Sequence, residues 1–158
     1  MQLTNNFSLS ELTKSQTAIR KEIANEPNSD QLDCLKLLCE NVLQPVREHF
    51  GKVVTITSGF RSPQLCIALN SSIESQHCKG QAADFELFGI PNAEVSDWIF
   101  KNLEFDQLIL EFWNSEEPNS GWVHCSFSPT EKRKQYLRAY KEDGRTKYKP
   151  VIGTILEQ

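Results

Sequence analysis

The residue types best suited to chemistry in this chain are two of its three histidines and one aspartate: His77, Asp84 and His124. Imidazole nitrogen is a good donor to zinc, and a carboxylate beside two imidazoles makes a mixed nitrogen–oxygen set that leaves a coordination position for water. Six residues separate His77 from Asp84, too many for adjacent turns of one helix. The spacing suits a histidine in a loop and an aspartate on the strand that follows, with Gly80 turning the backbone between them. Singly each signal is weak, because a lone histidine is more often a hydrogen-bonded structural residue than a ligand.

The elements that must hold these residues are legible in the patterning. From Ala82 to Leu87, alternation turns Ala83, Phe85 and Leu87 inward and leaves Asp84 and Glu86 on the other face. In Trp122–Phe127, Val123, Cys125 and Phe127 pack inward, which turns His124 out beside Trp122 and Ser126. In Gln107–Phe112, Leu108, Leu110 and Phe112 share one face, opposite Gln107, Ile109 and Glu111. Val53–Thr57 is a β-branched run that predicts a further strand. Helices are predicted upstream. Ser8 and Glu11 have capping-box spacing, and Ala18, Ile19 and Ile23 offer a short apolar face. A longer helix opens at Asn28 or Ser29 and carries Leu35, Leu38, Val42, Val46 and Phe50, with a kink expected at Pro45 and an end at Gly51. Ser62-Pro63 starts a short helix over Gln64–Leu69, and Pro91-Asn92 starts another with Val95, Trp98 and Ile99. Tyr136–Tyr148 around Asp143-Gly144 reads as a hairpin. The fold class is α+β: N-terminal helices packed on a small, mainly antiparallel sheet with one open face.

With 158 residues, no repeat and no long linker, the sequence predicts one domain over 1–158. Its net charge of −4 argues against general nucleic-acid binding. The segment 131–158 is nevertheless basic, with eight cations against three acids between Glu131 and Lys149. A solvated surface accounts for it more simply than an anionic partner does. No apolar run is long enough to span a membrane. Met1–Ser10 lacks the pattern of a secretory signal, so the expectation is a cytoplasmic monomer as synthesised. Five cysteines without a CxxC pair predict free thiols.

The segments Ser58-Gly59-Phe60-Arg61-Ser62, Ser75-Gln76-His77 with Gly80, Ala82 and Asp84, and Trp122-Val123-His124 resemble one peptidase family. It contains zinc D-Ala-D-Ala carboxypeptidases, the dipeptidases of vancomycin resistance and phage endolysins that cut L-alanyl-D-glutamate bonds. The resemblance covers roughly Phe7 to Phe127 and is closest to the small phage-type members. It implies a fold shared with Hedgehog signalling domains, Zn²⁺ on His77, Asp84 and His124, and peptidoglycan stem peptides as substrate. Arg61 matches the family's arginine, with Phe60 in place of the commoner tyrosine, and its guanidinium suits a carboxylate or an oxyanion. Ser75 matches a serine that lies near substrate in relatives, although a local turn hydrogen bond explains it equally well.

One position departs from the pattern. Carboxypeptidase and dipeptidase relatives carry the catalytic carboxylate three residues before the second zinc histidine, where this chain has Gly121. A peptidase of this kind needs a base for the attacking water. Glu111, on the polar face of the preceding strand, is the candidate, with Glu116 and Glu117 as rivals. Cys78 and Cys125 adjoin the ligands but read as packing residues, and His49 suits a helix end. Trp122 fits a cleft wall or the core. Three functional classes stand at this point: a wall-peptide hydrolase that reaches its substrate through a partner, a zinc-binding module of a phage structural or wall-binding protein without catalysis, and a purely structural protein with no metal.

Overall fold

The computed structural model describes residues 1–157. An Asn5-Asn6 turn joins strand β1 (Gln2–Thr4) to β2 (Phe7–Ser8) and delivers Phe7 to the core. Ser8 then caps α1 (Leu9–Thr13) in the capping box its spacing predicts: its hydroxyl accepts the Glu11 N–H, and the Glu11 carboxylate accepts the Ser8 N–H. In α2 (Gln16–Arg20) Ala18 is buried, but Ile19 is 69% exposed. Five residues are too short for an apolar stripe, so the expected face reduces to Ala18.

Asn28 opens α3 (Ser29–Leu38) with a second capping box to Gln31. Pro45 acts on the long helix through a π-helical turn, Cys39–Leu43, which precedes α4 (Gln44–Phe50). In that wider turn the Gln44 N–H reaches the Cys39 carbonyl, and the ladder passes the residue that cannot donate. The helix stops at Gly51, as its sequence predicts.

One sheet holds β3 (Thr55–Ser58), β4 (Ala82–Glu86), β6 (Trp122–Ser126), β5 (Gln107–Glu111), β7 (Gln135–Glu142) and β8 (Arg145–Pro150), in that spatial order. All pairings are antiparallel except β5 with β7. Helix α5 (Pro63–Ala68) follows its Ser62 cap, and α6 (Asn92–Asn102) follows Pro91. The chain is therefore mixed α+β. Alternation sorts the sheet as expected: Ala83, Phe85, Leu108, Leu110, Val123 and Cys125 share one apolar cluster with Leu35, Leu38, Val42, Val46, Val95 and Ile99.

Phe112 is the exception to that sorting. It follows the end of β5 with φ +56°, so alternation stops before it and its ring meets Trp122 instead, centroids 5.3 Å apart. The hairpin expected around Asp143-Gly144 forms as β7–β8, and positive φ at both turn residues (52° and 75°) matches the twist of the strands it joins. The buried Asp97 carboxylate on α6 accepts from the Tyr136 hydroxyl of β7 and from the Ile155 and Leu156 N–H groups, which ties the C-terminal segment to the rest. All five cysteines are free thiols. Among the described residues, no helix is long and apolar enough to cross a membrane.

Candidate metal centre and cleft

The register of β4 against β6 sets Asp84 directly opposite His124, so both side chains leave the same face of the sheet. His77 arrives from a 3₁₀ turn, Gln76–Lys79, which Ser75 caps and Gly80 closes. Gly80 has φ +73°, and a Cβ there would lie 2.5 Å from the Gln31 carbonyl oxygen, so only glycine serves. The His124 Nδ1 is 2.9 Å from Asp84 Oδ1, and the His77 Nε2 is 3.5 Å from Asp84 Oδ2.

The His77 Nδ1 lies 2.8 Å from the Gly59 carbonyl oxygen. A carbonyl only accepts, so Nδ1 carries a hydrogen, and Nε2 is the nitrogen turned toward Asp84. This is the backbone support a ligating histidine needs. The three donor atoms lie within 4.8 Å of one another, and among the described residues no other trio of His, Cys, Asp or Glu is so gathered. Tetrahedral zinc with bonds of about 2.1 Å sets its donors about 3.4 Å apart, close to the observed 3.5 Å edge, and the nitrogen–oxygen donor set suits it. The residues fit the ion.

Burial alone would push the Asp84 carboxyl up. Hydrogen bonds from His124 and then His77 more than reverse this and hold it well below the usual carboxylate range. Arg61 adds its guanidinium, with one Nη2 atom 3.8 Å from Asp84 Oδ2, while its Nε donates to Ser58 Oγ at 3.1 Å. The Arg61 backbone N–H donates to the His77 carbonyl, which ties its segment to the histidine turn. The Arg61 side chain is only 20% exposed and belongs to the cluster rather than to the outer surface.

These groups line a cleft of ≈ 520 Å³ whose floor is the polar face of the sheet. Glu111 lies on that floor, paired across strands with Trp122 and two residues along β5 from Ile109, the neighbour of His124. Burial first, and the Asp84 charge second, push its carboxyl up from the ordinary glutamate range. Glu116 and Glu117 are exposed on the loop between β5 and β6 and do not line the cleft.

Gly121 has φ +68°, and a Cβ there would overlap the Glu111 carbonyl oxygen and lie 2.8 Å from the Phe112 carbonyl carbon. The position where some relatives carry a carboxylate is here closed by the end of β5. Ser75 lines the cleft, but its hydroxyl accepts the His77 N–H at 3.2 Å, so the local turn bond is present. Trp122 is a cleft residue rather than a core one, and its buried indole N–H acts on the Glu111 carboxylate beside it. Cys78 and Cys125 are buried packing residues outside the donor trio. His49 stacks on Trp98 with ring centroids 4.3 Å apart, far from metal chemistry.

Sequence reasoning missed Glu74 on the cleft rim and Tyr148 on β8. The first had no signal beyond its nearness to Ser75. The second had only half a signal: Asp143-Gly144 fixes Tyr148 opposite Ala139, but the β5–β7 pairing is what puts both on the face of Glu111.

A buried carboxylate flanked by two imidazoles is a donor set that suits a metal ion, and an arginine and a second carboxylate line the same cleft. The family model described as peptidase M15 matches residues 5–126, and the chain belongs to that family. It is thereby a member of a metallopeptidase family. No curated protein matches the sequence.

Proposed function

We propose that this chain is a zinc-dependent peptidase that hydrolyses stem peptides of peptidoglycan, with His77, Asp84 and His124 as the zinc ligands on the open face of a sheet backed by helices. The observation that carries this reading is the convergence of those three donors beside Glu111 in one cleft. A zinc ion held there supplies Lewis acidity, which activates water and polarises a carbonyl.

The remaining work falls to this chain's own side chains. Glu111 takes the proton of the attacking water and returns it to the leaving amine, a role its raised affinity for a proton suits. Arg61 holds a substrate carboxylate or the developing oxyanion. Ser75 contributes to substrate binding from the cleft wall. The lost carboxylate at position 121 supports a module without catalysis, but Glu111 in the cleft supports catalysis more directly. Residues 1–158 act as one domain and as a monomer, and a partner delivers the protein to the wall.

Digestion of purified peptidoglycan by the zinc-loaded protein, with products read by mass spectrometry, tests this. Fragments from D-Ala-D-Ala or L-alanyl-D-glutamate cleavage, abolished by a chelator, are expected. Hydrolysis of casein without any change in the muropeptides would overturn the cell-wall substrate.

A further inference from the structure

Hairpin β7–β8 lies beyond the residues matched by the peptidase M15 model, yet it reaches the cleft. The register of the sheet explains how. Glu111 pairs with Ala139, and Ala139 pairs with Tyr148, so the three leave the same face in one row across β5, β7 and β8. The residue between these two side chains is a buried alanine, so no longer side chain stands between the tyrosine and the glutamate in that row. On the other side of Glu111 the same row continues to Trp122. Tyr148 is therefore the outermost member of a row that contains the candidate base.

Three further observations bear on what Tyr148 does. It lines the same cleft as the donor trio. It is 53% exposed, and no hydrogen bond holds its hydroxyl among the described residues, so its donor is free for a ligand. Burial, and then the charge of Glu111, push its phenol up, so the hydroxyl lies within electrostatic reach of the candidate base. Its neighbours in the strand face away: Lys147 bonds Glu142, and Lys149 sits over Tyr140 on the opposite side of the hairpin.

We infer that Tyr148 is a substrate-binding residue of the cleft, donating its hydroxyl hydrogen to an oxygen of the bound peptide on the Glu111 side of the scissile bond. The inference deepens the peptidase reading and rests on it. Tyr148 lines the cleft together with Ser71, Glu74, Ser75 and Gln76, so the bound peptide meets both a segment within the family match and the C-terminal hairpin beyond it. Its contribution is uniform binding of ground and transition states, which appears in KM rather than kcat.

The test compares Tyr148→Phe, Tyr148→Ala and Tyr140→Phe with the wild type on a muropeptide that the wild type cleaves. Tyr140 belongs to the same hairpin but faces away from the cleft, and it controls for disturbance of the strand pair. Tyr148→Phe should raise KM about five- to tenfold, the loss of one hydrogen bond, with kcat and zinc content unchanged. Tyr148→Ala should raise KM further, and Tyr140→Phe should change nothing. Calorimetry of the same peptide on Glu111→Gln, with and without Tyr148→Phe, should repeat the weakening without turnover. Unchanged KM in both Tyr148 variants, or an equal change in Tyr140→Phe, would overturn the role of Tyr148 alone. No cleavage of any wall peptide by the wild type would instead remove the peptidase reading and this inference with it.

Discussion

The backbone of Gly121 is pressed against the carbonyl of Glu111 so closely that no side chain fits between them. One contact thus explains two features of the cleft. Position 121 cannot carry the carboxylate found there in some relatives, and the strand end that excludes it presents a carboxylate of its own. The cleft thus keeps a carboxylate, on β5 instead of before β6.

Gly121→Ala should therefore destabilise the fold by about 2–3 kcal/mol, combining a strained positive φ with overlap against backbone. It should also lower turnover by displacing Glu111. Urea denaturation and peptide assays check both. A Glu111→Gln protein given Gly121→Glu should stay inactive, and recovery of activity would show that the site can be filled after all.

Glu111→Gln should keep its zinc and lose ~100-fold or more in kcat, the scale of general-base removal. Glu116→Gln and Glu117→Gln, on an exposed loop, should match the wild type. Loss at either loop position, with activity retained in Glu111→Gln, would relocate the base.

Arg61 is expected to meet a substrate carboxylate. Amidating the carboxylate next to the scissile bond should then weaken cleavage strongly in the wild type and little in Arg61→Ala. Equal losses in the two proteins would remove Arg61 from recognition.

Acid stability has a separate origin. Arg133 donates through Nε at 2.7 Å and Nη2 at 2.9 Å to the buried Asp106, and Gln76 donates at 2.8 Å. The Arg133 hydrogen bonds, partly opposed by burial, hold the Asp106 carboxyl below its usual range. Its folded pKa is thus below the unfolded value of about 3.9, so its stabilisation is complete above that pH and is lost as the pH falls through the folded pKa. The stability difference between wild type and Asp106→Asn in urea should be level above about pH 5 and shrink below about pH 4. A difference that stays constant would contradict this.

Much of this architecture was legible because strand alternation and helix caps are local. The inward set Ala83, Phe85, Val123 and Cys125 follows from period two alone, and it carries Asp84 and His124 to the cleft without further information. Ser8, Asn28 and Ser62 announced their helices by capping chemistry. What stayed hidden depends on contacts between distant segments. The β1–β2 pair is too short to show a period, and the π-helical turn before Pro45 is a relaxation of the helix rather than a motif. Phe112 left the core because the chain turns with positive φ one residue earlier than alternation suggested. The reason for glycine at 121 lies in the backbone of another strand, and Tyr148 reaches the cleft through a parallel pairing that no local pattern encodes.

Zinc bound by His77, Asp84 and His124 is what the cleft requires. Elemental analysis of the purified protein and its His77→Ala, Asp84→Ala and His124→Ala variants measures it directly. One zinc per chain in the wild type, with most of it gone from each variant that remains folded, is the predicted result. A His124→Ala protein that retains its full zinc would contradict the assignment of the centre.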